Sequence, residues 1–383
     1  MRTFDLVAPC HFGLESVLKR EIYDLGYEIK SVEDGRVTFI GDDEAIARAN
    51  IGLRTAERVM IKIGGFHAET FEELFQNTKA IDIENYVPRN GRFWVTKASS
   101  IKSKLFSPSD IQSVMKKAMA VRMGEYYKTE WLSEDGESFP IRVFIMKDEV
   151  TVCLDTTGDS LHKRGYRKLA SKAPIAENLG AALLMLTPWN KDRILVDPFC
   201  GSGTFPIEAA LMAAGIAPGV NRRYTAMNWE HLVNKSVWNE AIEEAKSLAD
   251  YSVRPEIIGY DIDPEMIKIA NANAKLAGVS KMVNFVQRDV SELSHNGEYG
   301  FIVTNPPYGE RLEEKSALPA LYKTISRKFT ELPTWSLYMI TSYENAENDM
   351  GRKADKNRKI YNGMIKTYFY QYMGPRPPKK NVE

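Results

Sequence analysis

The stretch Arg193-Ile-Leu-Val-Asp-Pro-Phe-Cys-Gly-Ser-Gly-Thr204 decides the fold of this chain of 383 residues. Its apolar residues predict a buried strand that ends near Asp197, Gly201 and Gly203 predict a tight turn, and the apolar run 209–214 predicts a helix. Strand, glycine turn and helix form the first unit of a doubly wound parallel sheet, where glycines let a ligand approach the backbone. The sequence therefore predicts an α/β domain of the Rossmann-like type, with a ligand site at this turn.

Two common nucleotide-binding motifs do not fit this turn. The residue three positions after Gly203 is Pro206, so the spacing is not Gly-x-Gly-x-x-Gly, and no Gly-Lys-Ser or Gly-Lys-Thr phosphate loop follows. Dinucleotide and ATP sites are therefore disfavoured.

A second motif, Thr304-Asn-Pro-Pro-Tyr308, follows the apolar strand Phe301-Ile-Val-Thr304 about a hundred residues after the glycine turn. Together with Asp197-Pro-Phe-Cys-Gly-Ser-Gly-Thr204, it makes the chain resemble the class I S-adenosylmethionine-dependent methyltransferases, and among them the Asn-Pro-Pro-Tyr amino-methyltransferases. The resemblance implies a mostly parallel, seven-stranded sheet with an antiparallel last strand. It also implies S-adenosylmethionine as the cofactor and no metal.

Two adjoining segments narrow this resemblance. Leu161-His-Lys-Arg-Gly-Tyr-Arg167 and Ala173-Pro-Ile-Ala-Glu-Asn-Leu-Gly-Ala-Ala-Leu-Leu184 are similar to the THUMP-containing branch, specifically the bacterial large-subunit rRNA guanine-N2 methyltransferases. The resemblance covers nearly the whole chain and implies RNA as the partner. It implies a ferredoxin-like α+β segment at 1–65, a THUMP RNA-binding domain at 66–160 and a methyltransferase domain at 161–383.

Local patterns predict several elements independently of the resemblance. Short alternating strand and helix patterns before residue 160 indicate α+β units. Apolar and polar residues alternate over Pro140–Met146 and Val150–Leu154, which predicts a β-hairpin. Ala173-Pro174 predicts the start of a helix, and the Asn-Gly pair in Ile360-Tyr-Asn-Gly-Met364 predicts a second hairpin.

The resemblance also implies where the cofactor is bound. It assigns the ribose to Asp261 and the adenine to Asp289. It assigns the methionine moiety and the sulfonium to five residues: Asp197, Phe199, Gly201, Gly203 and Thr204. A carboxylate suits a cationic donor. For either Asp261 or Asp289 taken alone, a helix cap or a turn is the preferred interpretation, as we expect for Asp263 before Pro264. Their register with both motifs favours cofactor binding instead.

The distance between the glycine turn and Asp261 departs from the usual pattern. The acidic residue commonly follows the turn by about 20 residues, whereas Asp261 lies 58 residues after Gly203. An insertion over roughly residues 216–254, which contains Trp229 and Trp238, is therefore expected. The sequence does not indicate its role.

The motif Asn305-Pro306-Pro307-Tyr308 fits the chemistry of amine methylation. An exocyclic amine is a poor nucleophile because its lone pair is delocalised into the base, so the enzyme has to orient that nitrogen. The Asn305 side-chain oxygen and the Pro306 carbonyl can accept its two N–H groups, the prolines restrict the loop, and Tyr308 offers a face for an extruded base. Asn-Pro is also common in ordinary turns.

Basic residues are clustered although the net charge of the chain is zero. From Lys97 to Lys128 there are seven Lys or Arg against two acids, 161–172 has five and no acid, and a third run spans 352–359. Three such runs favour phosphate contacts over solvated surface. The candidate RNA-binding residues are Lys102, Lys104, Lys116, Lys117, Lys163, Arg164 and Arg167.

Composition excludes several classes of protein. The three cysteines are widely spaced without a Cys-x-x-Cys pair or clustered histidines, which argues against disulfide scaffolds and structural zinc. No run of about 20 apolar residues exists, and the N-terminus lacks the apolar stretch of a signal peptide. We therefore expect a cytoplasmic protein without a membrane partner, and a monomer as the simplest oligomeric state.

Three functions remain open at this stage. The first is methylation of the N2 amine of guanosine in RNA, with 23S rRNA ahead of tRNA as the substrate. The second is adenine-N6 methylation of DNA, which shares the Asn-Pro-Pro-Tyr loop but leaves the N-terminal region unexplained. The third is an inactive RNA-binding or assembly factor, against which the intact Asn305 and Asp197 argue.

Overall fold

The computed structural model describes residues 2–167, 175–309, 312–363 and 365–378, except for the side chains of 312–315. The helix start predicted at Ala173-Pro174 lies outside the described residues. The chain forms two compact units. The first consists of Met1–Pro9, Lys19–Leu161 and Arg223–Glu244, and the second of Cys10–Leu18, His162–Arg222 and Ala245–Glu383.

The secondary-structure elements alternate between strands and helices along most of the chain. The strands are β1 Phe4–Pro9, β2 Glu28–Glu33, β3 Arg36–Gly41, β4 Met60–His67, β5 Arg92–Ile101, β6 Ser138–Met146, β7 Glu149–Asp155, β8 Leu195–Asp197, β9 Ile257–Asp261, β10 Asn284–Gln287, β11 Phe301–Thr304, β12 Ser336–Thr341, β13 Lys356–Asn362 and β14 Ile365–Tyr372. The helices are α1 Glu15–Asp24, α2 Asp43–Gly52, α3 Phe71–Lys79, α4 Pro108–Tyr127, α5 Glu177–Met185, α6 Thr204–Ala213, α7 Lys235–Ser247, α8 Pro264–Leu276, α9 Leu312–Thr330 and α10 Ala346–Asp349.

The first unit is built on a seven-stranded sheet of order β2-β3-β1-β4-β7-β6-β5. Strands β5 and β6 are parallel and all other neighbours in this sheet are antiparallel. The hairpin predicted before residue 155 is confirmed as β6 and β7. Its turn residues Lys147 and Asp148 have φ values of 52° and 66°, as a two-residue turn between twisted strands requires.

The middle of the predicted insertion is part of this first unit. The ring of Trp229, which is fully buried, stacks on Phe139 with centroids 5.0 Å apart, and its indole N–H donates to the Ser138 carbonyl over 3.0 Å. Tyr224 stacks on Trp238 at 5.3 Å. Buried aromatic side chains contribute strongly to a core, so residues 223–244 help to stabilise a unit that lies mostly before residue 162.

The second unit contains the predicted doubly wound sheet. Its strand order is β10-β9-β8-β11-β12-β14-β13, and β14 runs antiparallel to both of its neighbours, β12 and β13. The Asn-Gly hairpin is confirmed as well, with Asn362 opposite Ile365 and Gly363 at a φ of 61°. Buried residues of α5, α6 and α8 cover one face of the sheet and those of α9 cover the other.

Within the described residues, no helix has the length and hydropathy needed to span a membrane. Cys10, Cys153 and Cys200 are buried.

Candidate active site at the carboxyl edge of the parallel sheet

A cavity of about 660 Å³ opens in the second unit at the carboxyl ends of β8, β9 and β11. Almost all of the predicted cofactor-binding and catalytic residues line it: Asp197, Phe199, Gly201, Thr204, Asp261, Asp289, Asn305, Pro306, Pro307 and Tyr308. Segments more than a hundred residues apart are thus brought together, because the carboxyl ends of parallel strands meet at one edge of the sheet. The cavity is large enough for a small-molecule ligand.

Gly203 is the predicted cofactor-binding residue that does not line the cavity. Its φ is 88°, and a Cβ atom there would lie 2.8 Å from the Phe285 ring. The glycine is therefore needed for a left-handed backbone and for close packing behind the turn. Gly201, at a φ of 50°, faces the cavity.

Asp197 connects the two motifs. Its carboxylate is 1% exposed and accepts hydrogen bonds from the Thr304 hydroxyl at 2.6 Å and the Phe199 N–H at 3.1 Å. Burial raises the pKa of this carboxyl group from its ordinary 3.8 to about 7. Since Thr304 directly precedes Asn305, the carboxylate holds the start of the Asn-Pro-Pro-Tyr loop against the start of the glycine turn.

Asp261 braces the glycine turn from the neighbouring strand. One carboxylate oxygen accepts the Gly201 N–H and the other accepts the Asp263 N–H, both at 2.9 Å. Burial raises its pKa. Asp263 caps α8 by accepting the Glu265 N–H, as predicted. A carboxylate has about four acceptor positions, so Asp261 can also accept a hydrogen bond from a ligand hydroxyl.

Asp289 follows β10 and lies beside the same cavity. Its carboxylate accepts the Ser291 N–H at 2.8 Å, and this hydrogen bonding to Ser291 lowers its pKa. The alternative considered for the aspartates, that they stabilise turns, is therefore correct for Asp289 and also for Asp261. Both residues combine that function with a place in the cavity wall.

One contact in the catalytic loop was not anticipated. The Tyr308 hydroxyl donates a hydrogen bond to the side-chain oxygen of Asn305, whereas the sequence suggested only a stacking surface for this tyrosine. A substrate amine would have to use the second lone pair of that oxygen or displace the hydroxyl.

Several cavity residues were missed by sequence reasoning. Asn362 and Ile365 at the turn of the last hairpin reach the cavity, as do the apolar residues Ile175, Ile262, Met266, Val290 and Leu321. The Asn-Gly pair predicted the hairpin, but no local signal indicates that its turn lies beside a site formed by distant strands.

Two residues predicted to bind RNA are buried or partly buried instead. Arg164 is 7% exposed, with its guanidinium 3.6 Å from the carboxylate of fully buried Glu208. Arg167 donates to the Thr204 hydroxyl at 2.7 Å and lies 3.4 Å from the Glu177 carboxylate. Burial of Arg164 argues against a phosphate contact by this residue, whereas phosphate contact by the partly buried Arg167 stays a prediction. Both arginines belong to a polar cluster behind the glycine turn. Their pairing with carboxylates is expected there, since charged groups that are buried in a protein are usually paired.

Some of the positive charges counted over residues 97–128 are paired with acidic side chains in the folded chain. Lys104 pairs with Glu69 and Lys116 with Glu134. Both of these acids lie outside the counted segment. The ammonium of Lys116 also lies 4.2 Å from the centroid of the Phe93 ring. Lys102, Lys117 and Lys163 are exposed side chains, and RNA contact by any of the five lysines stays a prediction.

No group of three or more potential metal-ligating side chains occurs in the part of the chain that the structure describes.

Comparison with known proteins identifies three regions. Residues 164–371 match the family described as "RMKL-like, methyltransferase domain", residues 5–60 the RlmL ferredoxin-like domain, and residues 68–155 the THUMP domain. The chain is 45% identical over 386 residues to the Bacillus subtilis (strain 168) protein "Putative RNA methyltransferase YpsC", with 100% of both chains covered.

Two solved structures resemble it over nearly their full lengths. SMU.472, described as a putative methyltransferase complexed with SAH, is 42% identical with a TM-score of 0.92 and coverage of 99% and 100%. A Listeria monocytogenes protein described as a predicted N6-adenine-specific DNA methylase is 47% identical with a TM-score of 0.91 and coverage of 98% and 97%. The chain therefore belongs to the family of RMKL-like methyltransferases that also carry an RlmL ferredoxin-like domain and a THUMP domain, which confirms the predicted family and fold.

Proposed function

We propose that this chain transfers the methyl group of S-adenosylmethionine to the exocyclic N2 amine of a guanosine in RNA, with 23S rRNA as the substrate. The observation that carries the proposal is the single cavity in which the glycine turn and the Asn-Pro-Pro-Tyr loop meet, linked by the hydrogen bond from Thr304 to Asp197. One motif fits a methyl donor and the other fits an amine acceptor.

The cavity residues fit S-adenosylmethionine. The backbone of the glycine turn is open at Gly201, and carboxylates of Asp197, Asp261 and Asp289 lie at the ends of three adjacent strands. Ile262 and Val290 add apolar surface suited to an adenine ring. The bound cofactor would supply an electrophilic methyl group, and SAH, with which one relative was solved, is its demethylated product.

The residues of the Asn-Pro-Pro-Tyr loop would orient the amine. Accepting its N–H groups at Asn305 and at the Pro306 carbonyl would point the nitrogen lone pair at the methyl carbon. As the N–C bond forms, the bond between the methyl carbon and the sulfur would break with its electron pair left on the sulfur, and the methylated nitrogen would release one proton to water. Orientation and exclusion of water account for most of the acceleration in such a site. No residue with a nucleophilic role is required.

The surface beside the cavity supports a nucleic-acid substrate. On the last hairpin, Lys359 pairs with Tyr368 and Tyr361 with Lys366, so the four side chains share one face. The lysine ammonium groups lie 5.2 and 5.1 Å from the Tyr361 and Tyr368 ring centroids. Ile365, at the turn, lines the cavity. Alternating cations and aromatic rings suit phosphates and bases.

RNA is favoured over DNA by the THUMP domain and by the name of the curated relative. A tRNA guanosine is the alternative within RNA. The name of the Listeria monocytogenes protein makes adenine-N6 methylation of DNA the second candidate. We propose domain boundaries at 1–65, 66–160 and 161–383, which follow the matched regions closely.

The test is transfer of labelled methyl groups from S-adenosylmethionine to undermethylated rRNA, tRNA and DNA, with the product nucleoside identified. N2-methylguanosine in 23S rRNA is the expected product. N6-methyladenine in DNA would contradict the proposal.

The matched variant for that experiment is Asn305→Ala. We expect it to lose transfer by at least about 100-fold, as for removal of one transition-state hydrogen-bonding group, while S-adenosylmethionine still binds in equilibrium dialysis. Asn284→Ala, an exposed asparagine at the start of β10, is the control. Unchanged turnover in the Asn305 variant would refute the role of its side chain.

A further inference from the structure

A second cavity, of about 510 Å³, adjoins the first in the same unit. The two share Tyr308, Gly309 and Ile365, so that the tyrosine of the catalytic loop forms a common wall. The remaining lining residues are Leu318, Ser342, Tyr343, Glu344 and Asn345. An acceptor for in-line methyl transfer has to approach from the side opposite the departing sulfur. The second cavity shares Tyr308 of the Asn-Pro-Pro-Tyr loop with the first cavity but none of the residues proposed to hold the cofactor, which suits it to the acceptor.

One wall of the second cavity is rigid. The Tyr343 hydroxyl donates to the Asp349 carboxylate at 2.6 Å, and its ring lies 4.8 Å from the ring of buried Tyr322. Tyr322 is in turn hydrogen-bonded through its hydroxyl to the Thr341 hydroxyl at 2.6 Å. Tyr322 is buried and does not line the cavity. Because Tyr343 is held both by its hydroxyl and by packing against Tyr322, its ring presents a preorganised surface for a planar base.

Among the polar residues that line the second cavity, Glu344 carries a charge. Glu344 is exposed in the loop after β12 and brings a carboxylate, which can only accept hydrogen bonds when ionised. The pKa of Lys366 is raised first by its hydrogen bond with Tyr368 and also by the charge of Glu344. Glu344 and Ile365, the first residue of β14, line the same cavity.

We infer that the second cavity receives the target base and that Glu344 selects guanine by accepting a hydrogen bond from its ring N1–H. The inference rests on the proposed function. In guanine, N1–H and the N2 amine are neighbouring donors on one edge, so a base that presents N2 to Asn305 presents N1–H beside it. In adenine, N1 is an acceptor, and a carboxylate there would repel it.

The test uses a base that has the C2 amine of guanine but lacks its N1–H. 2-Aminopurine carries the C2 amine of guanine, but its N1 is an acceptor. The full-length protein and its Glu344→Gln variant are compared on RNA with guanine or 2-aminopurine at the position that the transfer experiment maps. Glu298→Gln is the control, since this exposed carboxylate lines neither cavity.

We expect wild type to prefer guanine strongly. In Glu344→Gln, kcat/KM for guanine should fall about 10- to 100-fold, as for loss of a hydrogen bond to a charged group, with S-adenosylmethionine affinity unchanged. The preference over 2-aminopurine should shrink, because a glutamine N–H can donate to its N1. Unchanged kcat/KM and preference in an active enzyme would overturn the assignment of Glu344 alone. Absence of RNA guanine methylation by wild type would overturn the proposed function, and this inference with it.

Discussion

Two regions differ in how well the sequence alone predicted them. They are the cavity of the second unit and the basic segment of the first unit, residues 97–128. The cavity residues follow strands whose ends must meet, and nearly all of them lie where the motifs predicted. Two lysines of the basic segment, Lys104 and Lys116, pair with acids from outside it, Glu69 and Glu134. The geometry of a backbone motif is determined by residues that are adjacent in the chain. The effect of a charged side chain depends instead on which side chains of distant segments lie next to it in the fold.

Arg164 tests this difference most strongly, because counting charges suggested an exposed residue. Arg164→Ala should destabilise the protein by about 3–5 kcal/mol, since it leaves the buried Glu208 carboxylate without its charged partner. The free energy of unfolding in urea measures this effect. Lys163→Ala, at the exposed neighbouring position, should change it by less than about 0.5 kcal/mol. Equal stabilities of the two variants would contradict an internal role for Arg164.

The two aspartates that flank residue 262 separate binding from capping. Asp261→Ala should weaken S-adenosylmethionine binding by at least about 10-fold, since it removes a charged acceptor and the brace of the Gly201 N–H. Asp263→Ala removes only the cap of α8 and should cost about 1 kcal/mol of stability while the cofactor still binds. Equilibrium dialysis and urea unfolding distinguish the two effects. If the two variants bind S-adenosylmethionine with equal affinity, Asp261 only stabilises the turn and does not bind the cofactor.

Asp197 should make stability depend on pH. Its pKa is raised to about 7 in the folded protein, against an ordinary 3.8. The folded state therefore binds a proton over this range that the unfolded state releases, and stability decreases as pH rises from about 4 to about 7. Asp197→Asn keeps the oxygen that accepts from Thr304 and Phe199.

The difference in unfolding free energy between the wild type and this variant, measured at pH 5 and pH 8 without cofactor, reports on the single carboxyl group. We expect the wild type to lose stability relative to Asp197→Asn at the higher pH. Parallel profiles would show that burial of Asp197 does not shift its titration.

The smallest effect is expected in the basic segment itself. Lys117 is exposed on α4, and Lys117→Ala should weaken RNA binding modestly and lower the slope of log affinity against log salt concentration by about 1. Lys281→Ala, an exposed lysine of the second unit, serves as a control. If the salt slope is the same in all three proteins, Lys117 makes no phosphate contact.

Motifs that impose a backbone conformation were predictable. Gly201 and Gly203 adopt the left-handed φ values that a glycine turn requires, and Asn362-Gly363 forms its hairpin. Asp263 caps α8 ahead of Pro264 as expected. In each case neighbouring residues along the chain determine the geometry. The Tyr308 hydrogen bond to Asn305 could not be foreseen, because the side-chain orientation depends on packing around the loop.

The amino-acid sequence by itself determined the doubly wound sheet, the glycine turn and the place of the Asn-Pro-Pro-Tyr loop at the same sheet edge, because short-range backbone preferences and the meeting of parallel strand ends are enough to specify them. Only the tertiary structure decided that Arg164 is buried against Glu208, that residues 223–244 fold with the first unit, and that the last hairpin reaches the cavity. These features depend on contacts between residues far apart in the chain, and no local pattern encodes which distant side chain will stand opposite a given one.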